Sequence, residues 1–343
     1  MGRRPLVLPA VLALTLAAAL GGCGGGEGDT GSDGDRPGSG GPSSSSSTSP
    51  SPVQSTGNAA GLLGPVGLVQ AADGTVWAAW SASDVVAPLE GADAQPGTPV
   101  DVGGTPLRMA LLDNSLWVTT IRGGELVQVD PATSSVVRRV TLGEEPEGIA
   151  VLDGHLFVVL QAGQALVEVD PADGALLRRY DVGGAPRLVA AGEGALFVGD
   201  YDGGRVVRVE PGRAEKVSRS GAVCAGVQDI EVVGDTVWAA CMTDGTVVGL
   251  DPQSLEVTST VEVAGDPDGL APGAGADLLV SLQDGPGLAV VDTAGGTSEQ
   301  VWTGTSGRLL DKANTDVVER DGTAFVSDYL GDAVRVVPDL VDE

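Results

Sequence analysis

Aromatic residues make up only 3% of this 343-residue chain, histidine occurs once, at His155, and lysine twice, at Lys216 and Lys312. A single imidazole leaves no histidine pair for general acid and base chemistry. Nineteen basic residues stand against 47 acidic ones, a formal charge of −28. That balance excludes nucleic acid and anionic headgroups as partners, because both carry the same sign as the protein. No nucleophile elbow, phosphate-binding loop or haem-attachment motif occurs. Long helices are excluded by 53 glycines and 21 prolines, which supply turns instead.

One sustained apolar run is present, Leu6 to Leu20, and it is too short to span a bilayer comfortably. It follows Arg3 and Arg4 and leads into Leu20-Gly21-Gly22-Cys23. Small residues at the two positions before a cysteine, with leucine at the third, resemble a bacterial lipobox. The resemblance implies a signal peptide over residues 1–22 and a lipid on Cys23, hence anchorage at the extracytoplasmic face of the cell membrane. Residues 23–58 are nearly all Gly, Ser, Thr, Pro and Asp, including the run Ser43 to Ser47. Too few apolar groups are present to offset the entropy of ordering, so this stretch reads as a disordered tether. About 35 such residues reach on the order of 30 Å r.m.s..

Residues 59–343 form the globular part, and they repeat. The stretch Gly143 to Pro171, GEEPEGIAVLDGHLFVVLQAGQALVEVDP, holds three short runs rich in Val, Ile and Leu, separated by Gly, Asp and Pro; Ala175 to Val182 adds a fourth. Such runs are strands joined by tight turns. The centre of the second run recurs at Trp77, Trp117, Phe157, Phe197, Trp238, Leu279 and Phe325, spaced by 40, 40, 40, 41, 41 and 46 residues. A second column closes the third runs with Asp130-Pro131, Asp170-Pro171, Glu210-Pro211, Asp251-Pro252 and Asp292-Thr293. A third opens each unit with Pro65, Pro106, Pro146, Pro186, Val227, Pro267 and Asn314. Three columns in phase over seven units predict an all-β, seven-bladed β-propeller of four-stranded antiparallel blades.

The segments Trp117-Val118-Thr119-Thr120, Phe197-Val198-Gly199-Asp200 and Phe325-Val326-Ser327-Asp328 resemble those of YVTN-type seven-bladed propellers. The opening Pro146-Glu147-Gly148-Ile149-Ala150 is similar to NHL and virginiamycin B lyase-like propellers. Such folds host enzymes and pure binding modules alike, so the resemblance implies fold more than activity.

In such a ring the loops entering the inner strand and leaving the second strand gather at one funnel-shaped face, where function concentrates. The candidate ligand-binding residues are Arg108, Glu147, Arg187, Asp229, Asp268 and Asp316 from the inner strands. Asp200, Tyr201, Asp328 and Tyr329 join them from the second-strand exits. Mixed arginines and carboxylates favour a polar small molecule, a glycan or a protein loop. The expected function is a lipid-anchored, monomeric binding module without a cofactor. The alternative is a metal-dependent enzyme of lactonase or lyase type. Gluconolactonase-type propellers bind a divalent metal through oxygen ligands, and Asn314, Asp316, Glu147 and Asp268 imitate that set for a cation such as calcium. The lyase-like propellers use histidine on the channel face, whereas His155 falls in the turn between first and second strands, on the opposite face.

Three structural expectations remain. Cys224 and Cys241 are candidates for a disulfide in an exported protein, with Cys241 opposite Gln228 when pairing is counted from the Gly234-Asp235 turn. The last unit ends after three strands, so residues near Ala60 to Leu63 are the expected donors of its missing outer strand, with the Asp339 to Glu343 tail as competitor. The surplus between Trp302 and Asn314, which carries Arg308, Asp311 and Lys312, is expected to extend the funnel rim at blade seven.

Overall fold

In a computed structural model, residues 58, 60–212, 216–275, 277–283, 287–303 and 315–340 are described. The signal segment, Cys23, nearly all of the tether, Arg308, Asp311, Lys312 and Asn314 lie outside them. The apolar runs form the strands of seven antiparallel sheets, the blades of a propeller. Their inner strands are Pro65–Gln70, Pro106–Leu112, Pro146–Leu152, Pro186–Gly192, Val227–Val233, Pro267–Pro272 and Val317–Arg320. The second strands are Val76–Trp80, Ser115–Thr120, His155–Leu160, Ala195–Asp200, Thr236–Cys241, Leu278–Leu282 and Thr323–Asp328. Third and outer strands follow in order within each sheet. The outer position of blade one is split into Gln95–Pro96 and Val100–Asp101, and blade seven has three strands among the described residues.

The sequence columns have local causes. Inner and second strands of blades two, three, four and seven are joined by two-residue turns, Asp113-Asn114, Asp153-Gly154, Glu193-Gly194 and Asp321-Gly322, with positive φ at both positions. That backbone matches the twist of the strands it joins and favours Asn, Asp and Gly. In the Asp-Pro column the Asp130, Asp170 and Asp251 carboxylates accept the amide two residues on, at 2.9, 2.8 and 3.0 Å. This is the local turn that Asp forms and that a following proline, lacking an N–H, helps to initiate.

The core is divided into seven interblade layers. Trp77 packs with Met109 and Leu116 of blade two, Trp117 with Ile149 and Leu156 of blade three, and Phe157 with Val189 and Leu196 of blade four. Phe197, Trp238 and Leu279 continue the series, and Phe325 of blade seven meets Leu68 and Trp80 of blade one. The inner, second and third strands are thus largely covered on both faces, which is why they read as apolar runs without strict alternation, whereas outer strands such as Leu176–Asp181 are mostly exposed.

Ring closure differs from the expected strand exchange. Residues 60–64 form no strand, because Gly61 and Gly64 have φ of 66° and 61° and cannot continue an extended chain. Leu62 instead inserts into the Phe325 layer. The Asn58 side-chain amide donates to the carbonyl of Asp332 at 3.1 Å, and the Gly64 amide donates to the Asp332 carboxylate at 2.8 Å. From the other terminus the Leu340 amide reaches the carbonyl of Gly322 at 3.0 Å. Asn58 and Gly64 on one side and Leu340 on the other therefore lie against blade seven, and neither segment adds a strand among the described residues.

Cys224 and Cys241 form a disulfide, with Cα atoms 5.9 Å apart. Cys241 pairs with Val227, one residue from the expected Gln228, because the inner strand of blade five shifts register between Val227 and Asp229. Gly226, at φ 72°, turns the incoming loop back toward Cys241.

Candidate functional site

That register shift is general. In blades one to six the inner strand slips between its first residue and the fourth, so two residues oppose one on the second strand. A bulge of this kind re-aims side chains at a barrel or sheet rim. Here it makes adjacent residues, not alternate ones, contribute to the channel. The first bulge position around the ring is Val66, Leu107, Glu147, Arg187, Gln228, Asp268 and, in frame, Thr315; the second is Gly67, Arg108, Gly148, Leu188, Asp229, Gly269 and Asp316. The next residue is aliphatic in every blade: Leu68, Met109, Ile149, Val189, Ile230, Leu270 and Val317. The second-position residues Arg108, Asp229 and Asp316, with the aliphatic residues that follow in each blade, line an axial cavity of about 220 Å³.

Glycine at the second position has a steric cause. A Cβ on Gly67 would lie 2.1 Å from the carbonyl oxygen of Leu107 in the next blade, and one on Gly148 would lie 2.7 Å from that of Arg187. The bulge also frees backbone amides. Hydroxyls opposite it take them up: Thr119 Oγ1 accepts from Arg108 at 3.2 Å, Ser281 Oγ from Gly269 at 2.9 Å, and Ser327 Oγ from Asp316 at 2.7 Å. These three were not singled out by sequence reading, although they share one frame position.

Arg108 is at the centre of the charge. Burial disfavours its charge, but the carboxylates of Asp316, Asp268, Glu147 and Asp229 outweigh burial and raise its pKa. It forms no ion pair within 4.0 Å among the described residues, and its Nε and Nη2 are buried without a hydrogen-bond partner there. The four carboxylates are held in fixed positions. Asp229 accepts the amides of Ile230 and Leu270, both at 2.8 Å, and Asp316 accepts those of Val317 at 3.0 Å and Leu68 at 2.9 Å. Asp268 accepts from the backbone amide and hydroxyl of Thr315, with the Gln283 side chain beside it. Glu147 accepts from the Gln161 amide and lies 3.6 Å from Arg187 Nη1. Burial raises the pKa of all four, well above the usual carboxylate range for Asp229.

At the rim the exit loops are pinned by backbone bonds across the funnel face. The amides of Gln161, Tyr201 and Gln283 donate to the carbonyls of Glu145, Ala185 and Asp266, at 3.0, 3.0 and 2.9 Å. The Arg187 guanidinium then stacks over the Tyr201 ring, 5.2 Å from its centroid. Asp200 and Asp328 stand one residue earlier, at the ends of their strands, and their carboxylates serve the turns. Asp200 accepts from Ala185 and Gly203 at 2.9 and 3.1 Å; Asp328 accepts from Gly331 at 2.9 Å and from Arg335 Nη2 at 2.7 Å. Tyr329 lies against Gly64, where the chain enters blade one.

The structure therefore brings together Arg108, Glu147, Arg187, Asp229, Asp268 and Asp316, with Tyr201 at their edge. Among the described residues no three carboxylate, histidine or cysteine side chains are grouped to hold a metal ion. Of the cation-binding set drawn from the sequence, Asp316 accepts two backbone amides, and Asn314 lies outside the described residues. His155 begins the second strand of blade three, at the hairpin end, where Nδ1 lies 2.7 Å from Glu168.

Neither a protein-family model nor a curated protein sequence matches the chain. Solved structures match its fold. A catalytically inactive histidine-to-alanine variant of virginiamycin B lyase from Staphylococcus aureus, with quinupristin, superimposes with a TM-score of 0.70 at 15% identity, over 83% of this chain and 98% of that one. A streptogramin B lyase gives 0.70 at 13% identity, over 83% and 96%. Hydrazine synthase of Kuenenia stuttgartiensis gives 0.68 at 16% identity, over 82% and 97%. At these identities the likeness is one of fold.

Proposed function

We propose that this protein is a binding module, carried on a lipid anchor at the extracytoplasmic face, whose funnel receives a polar ligand. One observation carries the reading: Arg108, which lines the axial cavity together with Asp229 and Asp316, is buried with two guanidinium nitrogens unpartnered among the described residues. Buried donors and acceptors left open in a preformed cleft are what a polar ligand satisfies, and leaving them unmet costs about 1–3 kcal/mol each. Two arginines face four carboxylates, so a neutral or cationic ligand is favoured over an anion. The lyase with quinupristin offers a precedent for a ligand on a propeller of this fold. No histidine among the described residues stands on the funnel face here, so the binding reading rests on charge and hydrogen bonding.

The test is saturation-transfer NMR on a panel of neutral and aminated mono- and disaccharides, with wild type and Arg187→Ala. Arg187 is partly exposed, with its side chain 31% accessible, and a thermal melt of the variant checks that loss of its ion pair with the buried Glu147 leaves the fold intact. Saturable binding that Arg187→Ala weakens by about tenfold supports the reading. Binding unchanged in this variant moves the ligand away from the funnel.

A further inference from the structure

On the hairpin face, away from the funnel, a second cavity of about 830 Å³ opens between blades one and two. In blades five, six and seven the third-strand residue paired with the column residue is Gly249, Val290 and Val336, whereas in blades two, three and four it is long and polar: Gln128 opposite Trp117, Glu168 opposite Phe157, Arg208 opposite Phe197. Each closes over the blade end. Gln128 donates to Ser115 Oγ at 2.9 Å, Glu168 accepts from Tyr180 at 3.0 Å and meets His155, and Arg208 reaches Glu210 and Gln253. In blade one the paired residue is Pro88, whose ring cannot extend or donate. Trp77, 3% exposed, lies at the base of the cavity.

The floor of this cavity is apolar, formed by Trp77, Pro88, Leu89 and Leu111. Its rim carries the exposed carboxylates of Asp73, Glu90 and Asp113, and no Lys, Arg or His lines it. The volume lies within the range of small-molecule sites, roughly 300–1,000 Å³, which are likewise concave, mostly apolar and polar at a few points. Three carboxylates at the mouth of a low-dielectric cleft focus a negative potential there. We infer that this cavity is a binding site for a small organic cation, an amine attached to an aryl or alkyl body: the body occupies the floor over Trp77 and the ammonium group faces Asp73, Glu90 and Asp113. An anion meets repulsion at the mouth, and a neutral isostere loses the charge contacts.

The experiment titrates the full chain with tryptamine, with tryptophol as neutral isostere and indole-3-propionate as anionic one, by calorimetry at low salt and again at high salt. Tryptamine is expected to saturate, about tenfold more tightly than tryptophol, with the difference fading as salt screens exposed charges. The triple variant Asp73→Asn, Glu90→Gln, Asp113→Asn touches only exposed side chains, and should bring tryptamine to the affinity of tryptophol. Pro88→Arg, which places here the residue type that blade four has in the same register, should abolish binding, while Arg187→Ala on the funnel should leave it unchanged. No saturation by tryptamine up to about 10 mM overturns the inference, as does equal affinity for the three probes or indifference to the triple variant. A concentration-dependent dimer that Pro88→Arg dissolves also overturns it, by assigning the cavity to a second copy of the chain.

Discussion

The Asp316 carboxylate accepts the backbone amide of Leu68 across 2.9 Å and so ties the last inner strand to the first, 248 residues away in sequence. The same bond recurs within the ring, where Asp229 of blade five accepts the amide of Leu270 in blade six at 2.8 Å. A carboxylate at the second bulge position thus acts as a clamp on the blade that follows. Replacing Asp316 by Ala leaves the Leu68 and Val317 amides without their acceptor, and should cost about 2–4 kcal/mol in urea unfolding. Asp316→Asn keeps one acceptor oxygen and should cost less. Equal losses for the two variants would show that charge, not hydrogen bonding, makes the clamp.

Gly67→Ala should destabilise more than a typical surface change, by about 3 kcal/mol or more. The added methyl would meet the Leu107 carbonyl at 2.1 Å, and a backbone atom of the neighbouring inner strand cannot rotate away. The same change at Gly143, where nothing lies within 4 Å of the added carbon, meets no clash and is opposed only by its φ of 69°. Thermal melts of the pair separate steric from conformational cost.

Loss of the Cys224–Cys241 bridge, by reductant or by Cys224→Ser with Cys241→Ser, should lower stability by about 3 kcal/mol, as expected for a 17-residue separation. The incoming loop of blade five would lose its tie to the second strand. Hydrogen exchange should quicken at residues 223–226 while the other blades keep their protection.

Glu231 lines the axial cavity, and burial pushes its pKa from 4.5 to about 7. A carboxyl whose folded pKa is raised binds a proton more readily in the folded state. Its contribution is therefore full below about pH 4.5 and is lost as pH rises toward 7. Glu147, Asp229, Asp268 and Asp316 are shifted in the same direction. Stability should fall between pH 5 and pH 8, and Glu231→Gln should recover up to about 3 kcal/mol at the upper end. A variant with the same pH slope as wild type would place the loss on the other four carboxylates.

Cys23→Ala should move the protein from the membrane fraction to the soluble one, since stable anchorage requires the acyl chains that this cysteine would carry. Retention of the variant in membranes would remove the lipobox reading and, with it, the anchored part of the proposed function.

How far the sequence reached follows from what is local. The two-residue turns, the Asp-Pro turns and the apolar strands are settled within a few residues, so they repeat in phase, and the period near 40 residues already implied seven blades. The same frame placed Arg108, Glu147, Arg187, Asp229, Asp268 and Asp316 at one end of the inner strands. It did not show that Asp200 and Asp328 spend their carboxylates on turns, because a one-residue difference at a strand end decides which way a side chain faces. Nor did it show the bulges, which arise where neighbouring inner strands crowd at the axis, or the hydroxyls of Thr119, Ser281 and Ser327 that answer them. Closure was misread for a related reason: a gap of one strand suggested exchange, whereas Gly61 and Gly64 bend the chain away and the Phe325 layer seals the ring. Local chemistry in the sequence determined the blades and their number. Contacts between residues hundreds of positions apart decided which charges meet, how deeply they are buried and where a cavity stays open, because those depend on how seven sheets pack around one axis.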